Sequence, residues 1–230
     1  VVRNALIPVV TLLGPALARH GGAAMHVATK VGFDPPGFDY RSDSVLASLE
    51  RSLDRLRCPQ LAVAQIHEVN LAGWERITEP GGTLDGLRAA QRRGLCRFIG
   101  ITGRAIPLLA RLARTGEFDT VLVYHDYHPC CAAAARQVLP AAAAADMGVV
   151  AATVLAGGLY VVGAPQQRVL AQLDEVERRD AEMVLNSLEA AGTLPQAAFR
   201  WVLGDHRVST VSSGAADPDQ LAEVAAAGDL

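Results

Sequence analysis

The stretch from Cys96 to Tyr127 decides the fold, and it reads "CRFIGITG" (96–103), "AIPLLARLARTG" (105–116) and "DTVLVYHDY" (119–127). The outer pieces are apolar runs of strand length, whereas the middle piece carries apolar residues at helical spacing and ends on a glycine. Two such strands joined by one amphipathic helix pair in parallel through a right-handed crossover. This stretch therefore predicts a β-α-β unit.

The same alternation extends along the chain in both directions, giving six strand-then-helix units. The other four strand-like runs are "HVATKVG" (26–32), "LAVAQIHEV" (61–69), "VVAATVLAGG" (149–158) and "VSTVSSGA" (208–215). The run "VVRNALIPVV" (1–10) is a candidate seventh strand, and no eighth is visible. Because eight units close a barrel, we predict an α/β chain forming one (β/α)8 TIM-type barrel domain over residues 1–230, incomplete at the first strand. A doubly wound sheet is the alternative, but no G-x-G-x-x-G follows an early strand.

The charge and composition of the chain limit the kinds of molecule that it is expected to bind. The 230 residues carry a formal net charge of -3 with a pI near 6.1, and the arginines are scattered, which disfavours a nucleic-acid surface. No apolar run reaches the roughly 18 residues of a membrane span or fits a secretory signal, so we predict a cytoplasmic chain that binds a small molecule. The four cysteines make no CxxC or Cys/His spacing, so no metal site is predicted. The oligomeric state stays open.

Polar residues at the carboxyl ends of the strands are the candidates for chemistry, because a barrel carries its active site there. Lys30 is the first of them and is also the only lysine in the sequence, beside twenty arginines. His67 follows the next strand. The remaining candidates are Thr29, Glu68, Asn70, Thr102, Arg104, Tyr124, His125, Asp126, Tyr127, Thr153, Ser212 and Ser213.

Six segments resemble the aldo-keto reductases, and among them the branch of galactose, fucose and D-threo-aldose dehydrogenases. They are "LLGPALA" (12–18), "VATKVGF" (27–33), "SLERSLDRLRCPQLAVAQIHEV" (48–69), "LDGLRAAQRRGLCRFIGITG" (84–103), "GVVAATVLAGGL" (148–159) and "FRWVLGDHRVSTVSSGAADPDQLAEV" (199–224). The resemblance implies a catalytic set of Tyr, Lys, His and Asp, with the Tyr as general acid. Lys30 and His67 match its Lys and His.

The other half of this set departs from the family pattern. Arg3 and Pro8 stand at or near the positions of the Asp and the Tyr, so the acid must come from elsewhere. The candidate substitutes for acid-base work are Tyr124, His125, Asp126 and Tyr127.

For the cofactor, the resemblance implies NADP or NAD, with binding residues Thr102, Ser212, Ser213, Gly214 and Glu223. The segment "VSSGAADPDQLAEV" (211–224) resembles the family's phosphate-binding turn before a helix. Ala216 and Asp217 stand where an Arg often meets the 2'-phosphate, and the acidic residue opposes NADP. The absence of any bound cofactor is the alternative that these departures leave open.

Three functions follow, from different classes. The first is a reductase or dehydrogenase acting on a sugar or small carbonyl compound with NAD(P). The second is a cofactor-independent lyase, dehydratase or cyclase in specialised biosynthesis that uses Lys30, His67 and the cluster "YHDYH" (124–128) for acid-base work. The third is a non-catalytic binding or regulatory barrel. The segment "NLAGWERITEPGG" (70–82) is expected to be a loop that sets specificity.

Overall fold

A computed structural model describes residues 26–34, 37–215 and 217–228. The chain divides into two compact units, with the boundary after Thr120. We call them the N-terminal unit and the C-terminal unit. That residues 1–230 form a single domain therefore stays a prediction. The candidate strand at residues 1–10 lies outside the described residues.

All six sequence-predicted strand runs contain strands, and helices follow them in the expected alternation. The strands are β1 (Ala28–Val31), β2 (Phe33–Asp34), β3 (Gly37–Phe38), β4 (Leu61–Ile66), β5 (Cys96–Gly103), β6 (Thr120–Tyr124), β7 (Gly148–Ala152) and β8 (Thr210–Ser212). The helices are α1 (Ser42–Leu56), α2 (Val69–Thr78), α3 (Thr83–Arg92), α4 (Ile106–Ala113), α5 (Val138–Ala144), α6 (Ala164–Leu170), α7 (Glu175–Leu188), α8 (Leu194–Leu203) and α9 (Pro218–Ala225).

The N-terminal unit is built on parallel pairing of β1 with β4 and of β4 with β5. In this register Lys30 lies opposite Gln65, so the ends of β1 and β4 are side by side. Helices α1 and α3 pack against each other. They meet at Gly86, where a Cβ atom would come within 2.8 Å of the Ser42 carbonyl oxygen, so only glycine allows this approach.

The C-terminal unit orders its strands β6, β7, β8, and β7 pairs with β8 in parallel. Its core includes Val149 and Ala151 of β7 together with Phe199 and Val202 of α8, all of which are fully buried. Helix α8 packs against β8, as expected when helices cover a parallel sheet.

Two parts of the N-terminal unit differ from the sequence-based expectation. The predicted loop at residues 70–82 contains most of helix α2, which bends at Gly73 (φ 75°). Gly73 interrupts the helical spacing of the apolar residues, so the sequence of residues 70–82 suggests a loop. The second difference is the short antiparallel hairpin of β2 and β3, which is not among the six predicted strand runs. Within the described part of the chain, no helix has the length and apolar character that crossing a membrane requires.

Candidate active site

Lys30 lies near the end of β1, with a side chain that reaches solvent. Its pKa lies below the ordinary value of a lysine, because the protein around the ammonium group disfavours the charged form. The negative charge of Glu68 acts in the opposite direction and favours the ammonium. Lys30 is therefore a cation whose charge depends on its immediate neighbours.

His67 immediately follows β4, and its backbone N–H donates to the Val31 carbonyl at 2.9 Å. This bond fixes it beside the end of β1. Its Nε2 lies 4.0 Å from Oε1 of Glu68. The pKa of His67 is lowered by burial and by the charge of Lys30, while Glu68 opposes the shift, so the imidazole is mainly neutral at pH 7. The structure thus brings together the two residues that the sequence nominates as catalytic.

An aromatic wall formed by Phe33, Phe38 and Tyr40 surrounds His67. The rings of Phe33 and Phe38 have centroids 6.4 and 5.9 Å from the imidazole, and Phe38 stacks on Tyr40 at 5.9 Å. Sequence reasoning missed this wall. Its signal is the segment "GFDPPGFDY" (32–40), in which Phe-Asp occurs on both sides of a Pro-Pro-Gly turn and predicts a hairpin.

Tyr40 holds the backbone on which His67 sits. Its hydroxyl donates to the His67 carbonyl at 2.7 Å, with the Glu68 carbonyl at 3.3 Å. Burial and the charge of Glu68 raise its pKa far above the ordinary value of a tyrosine. Tyr40 is therefore an anchor rather than a ready proton donor. Gly32 (φ 100°) permits this arrangement, because a Cβ there would overlap the Tyr40 ring.

A groove of about 340 Å³ opens beside the aromatic wall, within the size range of small-molecule sites. Arg41 and Asp39 in its lining form a two-pronged ion pair with a closest distance of 2.7 Å, which holds the pKa of that carboxyl well below its usual range. The groove combines aromatic, aliphatic and charged surface. It is lined by Phe38, Asp39, Tyr40, Arg41, Leu71, Ala72 and Arg76.

Thr102 lies in β5 and is fully buried. Its hydroxyl is one of two buried side-chain polar groups that find no hydrogen-bond partner in the described part of the chain. A buried hydroxyl without a partner costs stability, and a bound ligand can supply the missing bond. This observation fits the cofactor-binding role that the family resemblance implies for Thr102.

The sequence-predicted substitute acids lie in the C-terminal unit, around the end of β6. Tyr124 is its last residue, and His125 adopts a left-handed backbone (φ 61°). Asp126 and Tyr127 are buried. The Tyr127 hydroxyl donates to Asp205, and burial together with this bond raises the pKa of Tyr127 to about 12. Tyr127 is therefore committed to a structural contact.

The last residue of "YHDYH" (124–128) is His128, and the structure pairs it with Tyr160, a partner that the sequence did not predict. Nδ1 of His128 lies 3.0 Å from the Tyr160 hydroxyl, and the Cys130 backbone N–H donates to that same oxygen at 2.9 Å. His128 and Tyr160 are 6% and 0% exposed. Burial lowers the pKa of His128 to about 4. Thirty-two residues separate the histidine from the tyrosine, so no local sequence pattern links them.

The predicted phosphate-binding residues Ser212, Ser213 and Gly214 are exposed at and after the end of β8. Helix α9 begins only at Pro218, so Ser213 and Gly214 lie in the connecting loop. The helix is capped by Asp217, whose carboxylate accepts from the Gln220 N–H at 2.8 Å. A carboxylate at this point disfavours a further phosphate there.

Glu223 lies on α9, where its carboxylate accepts from the Thr193 hydroxyl at 2.7 Å. Together with Thr193 it lines a cavity of about 430 Å³, large enough for one end of a dinucleotide. Val161, Val162 and Leu194 give this cavity an apolar side.

Among the residues that the structure describes, no three His, Cys, Asp or Glu side chains lie close enough together to bind a metal ion. The four cysteines are free thiols, and burial raises the pKa of the Cys96 thiol to about 11. A thiol with a raised pKa is a poor ligand and a poor nucleophile.

Comparison with known proteins adds to this geometry. The model of the Aldo/keto reductase family matches residues 9–230. L-galactose dehydrogenase of Arabidopsis thaliana is 26% identical over 204 residues, which cover 87% of this chain and 63% of the relative. D-threo-aldose 1-dehydrogenase of Pseudomonas sp is 26% identical over 190 residues, covering 81% of this chain and 57% of the relative. The chain thus spans less than two thirds of the length of these relatives.

A solved structure shows the fold. An aldo-keto reductase from Bacillus halodurans, in its holo form, superposes with a TM-score of 0.77 at 20% identity, over 96% of this chain and 72% of that chain. The likeness confirms the predicted fold class, an α/β (β/α)8 TIM-type fold.

Proposed function

The chain belongs to the aldo/keto reductase family, and we propose that it is an oxidoreductase that acts on a sugar or another small carbonyl compound with NAD(P). The observation that carries the proposal is the pairing of Lys30 with His67 at the ends of neighbouring parallel strands, next to an open groove. Two curated relatives named as sugar dehydrogenases support the substrate class.

The two residues have distinct tasks in this proposal. His67, neutral at pH 7, donates a hydrogen bond to the substrate oxygen and orients it. Lys30 places a positive charge where negative charge develops on that oxygen, which stabilises the transition state. The aromatic wall excludes water from one side of His67.

The identity of the proton donor stays a prediction from the sequence, with Tyr124, His125, Asp126 and Tyr127 as the candidates. The Tyr127 hydroxyl already donates to Asp205, which counts against Tyr127.

Cofactor-binding roles are proposed for Thr102 in the N-terminal unit and, separately, for Ser212, Ser213, Gly214 and Glu223 in the C-terminal unit. The nicotinamide group, when bound, supplies hydride transfer. Thr102 supports this assignment because its buried hydroxyl has no hydrogen-bond partner in the described part of the chain. Glu223 supports it because it lines the cavity of about 430 Å³. Asp217, at the start of α9, favours NAD over NADP, since its negative charge repels a 2'-phosphate.

A second candidate function has one observation in its favour. Lys30 has a lowered pKa, and a histidine and a carboxylate lie near it. A lyase, dehydratase or cyclase could use such a lysine as a base or as a nucleophile that attacks a carbonyl group. This function would need no nicotinamide.

Titration of the purified protein with NADH and NADPH, followed by nicotinamide fluorescence, tests the two candidates. Micromolar binding supports the oxidoreductase, and we then expect oxidation of aldoses such as L-galactose and the D-threo-aldoses. A failure of both cofactors to bind at millimolar concentration would contradict it in favour of the second candidate.

Asp217→Asn sharpens the same titration, because asparagine keeps the helix cap and removes the charge. We expect the affinity for NADPH to rise roughly tenfold, while the affinity for NADH changes little. Unchanged affinity for NADPH would show that Asp217 does not face the 2'-phosphate.

A further inference from the structure

Glu68 occupies an unusual backbone position between β4 and α2. It is the N-cap residue of α2 and adopts a left-handed conformation (φ 56°, ψ 68°). Residues with a Cβ atom rarely take this conformation, and it persists only where the surroundings impose it. Such positions concentrate at functional sites, so the contacts that hold Glu68 in place are informative.

Contacts on both sides fix this backbone. On one side, the Tyr40 hydroxyl bonds the His67 carbonyl and lies 3.3 Å from the Glu68 carbonyl. On the other side, Val69 is fully buried at the start of α2. It packs where β5 ends at Gly103, and a Cβ atom on that glycine would come within 3.0 Å of the Val69 side chain. The chain is therefore clamped at Glu68.

The clamp directs the carboxylate toward the two candidate catalytic groups. Oε1 of Glu68 lies 4.0 Å from Nε2 of His67, and the side chains of His67 and Glu68 are 32% and 19% exposed. The charge of Glu68 also acts on Lys30 and on Tyr40. Because Glu68 is only slightly exposed, water screens these interactions less than it would on an open surface.

We propose that Glu68 is a positioning residue for the reaction, whose carboxylate, 4.0 Å from Nε2 of His67, orients the imidazole and places a negative charge near Lys30. The effect on turnover rests on the proposed function, whereas the electrostatic effect on Lys30 does not. Arg3 and Pro8 stand at or near the Asp and Tyr positions of the family pattern, so the carboxylate that this pattern expects near the lysine is absent from the sequence there. Glu68 supplies a carboxylate from a different strand end.

The single lysine of the sequence makes a direct test feasible. Reductive methylation with 13C-formaldehyde labels Lys30, and its methyl resonance is separated from that of the terminal amine by its chemical shift. The pKa of Lys30 is then read from an NMR titration of the whole chain. Because the carboxylate favours the ammonium form, Glu68→Gln should lower the pKa of Lys30 by about 1.

Two further variants keep this test decisive. Glu68→Gly also removes the carboxylate and relieves the left-handed backbone, so it guards against loss of folding in the glutamine variant. Glu75→Gln removes an exposed carboxylate from the same helix and is the matched control, with no change expected. A Lys30 pKa that is the same in wild type, Glu68→Gln and Glu68→Gly would overturn the proposal.

Kinetics supply the second readout. With a sugar substrate, Glu68→Gln should lower kcat about tenfold with little change in KM, and Glu68→Asp should recover part of the loss. A variant that only melts at a lower temperature, with kcat and the Lys30 pKa unchanged, would show a purely structural residue and overturn the proposal. If the wild-type chain oxidises no sugar, the proposed function fails, and the titration still decides the electrostatic role.

Discussion

The His67 region of the N-terminal unit and the His128 cluster of the C-terminal unit use the same residue types in opposite ways. In each, a tyrosine hydroxyl anchors a histidine that follows a β-strand. The Tyr40 hydroxyl bonds the backbone of His67, which leaves the imidazole beside Glu68 and partly in solvent. The Tyr160 hydroxyl bonds the ring nitrogen of His128, which is buried. What the ring itself contacts therefore separates a candidate catalytic histidine from a structural one.

The strongest challenge to this comparison is Lys30→Met. We expect kcat/KM for sugar oxidation to fall about 1000-fold, because the variant removes the positive charge next to the reacting oxygen, while the circular dichroism spectrum is unchanged. Arg55→Met, which removes a cation from the exposed last turn of α1, is the control and should keep full activity. A normal turnover number in Lys30→Met would contradict the catalytic assignment.

The His128 cluster predicts a pH dependence of stability. The folded protein lowers the pKa of His128 to about 4, whereas the unfolded chain titrates near 6.5. Between these values the unfolded chain binds a proton that the folded protein does not, so the free energy of unfolding should fall as the pH drops from 6.5 to 4. The loss amounts to about 3 kcal/mol.

Urea unfolding of wild type and His128→Gln across this pH range measures that contribution, since carboxylates titrate in both. We expect the wild type to lose more stability than the variant, and the difference should stop growing below pH 4, where both states of His128 are protonated. Parallel curves would show that His128 is not held neutral by the cluster.

His67→Ala tests whether His67 is the catalytic member of the two histidines. We expect kcat to fall about 100-fold with a small change in KM, because the interaction that is lost orients the substrate oxygen in the transition state. His206→Ala, on an exposed residue of the C-terminal unit, is the control. A His67→Ala protein that loses stability but keeps kcat would place His67 with His128 as a structural residue.

Tyr160→Phe should give the smallest effect. The variant leaves the Cys130 N–H and the ring nitrogen of His128 without their shared partner, so the free energy of unfolding should fall by about 2 kcal/mol. Activity should not change. Denaturation in urea and a steady-state assay check both parts, and a stability equal to that of wild type would mean that water replaces the hydroxyl.

The sequence predicts the six strand runs and the fold class because apolar runs and helical spacing are local patterns. It also nominates Lys30 and His67, since the ends of neighbouring parallel strands lie side by side. Helix α2 escapes this reasoning because Gly73 disrupts its periodicity.

The remaining features depend on tertiary contacts. The left-handed backbone of Glu68 results from packing by Tyr40 and Val69, and the pattern around Glu68 does not reveal it. Tyr127 looks like a free acid in "YHDY" (124–127) because Asp205, its partner, lies 78 residues later. Side-chain pairing over such distances decides which polar residues are occupied, and one sequence does not contain it.

Gly32 carries no reactive group, yet its backbone gives the Tyr40 ring the space that it needs beneath His67. In a saturation mutagenesis screen for sugar oxidation, every substitution at Gly32 should score as deleterious, as if the residue were catalytic. A screen for abundance would separate Gly32 from Lys30 only if the substitutions at Gly32 also impair folding. Activity scores alone would therefore classify Gly32 as catalytic, although its role is to leave room for the Tyr40 ring.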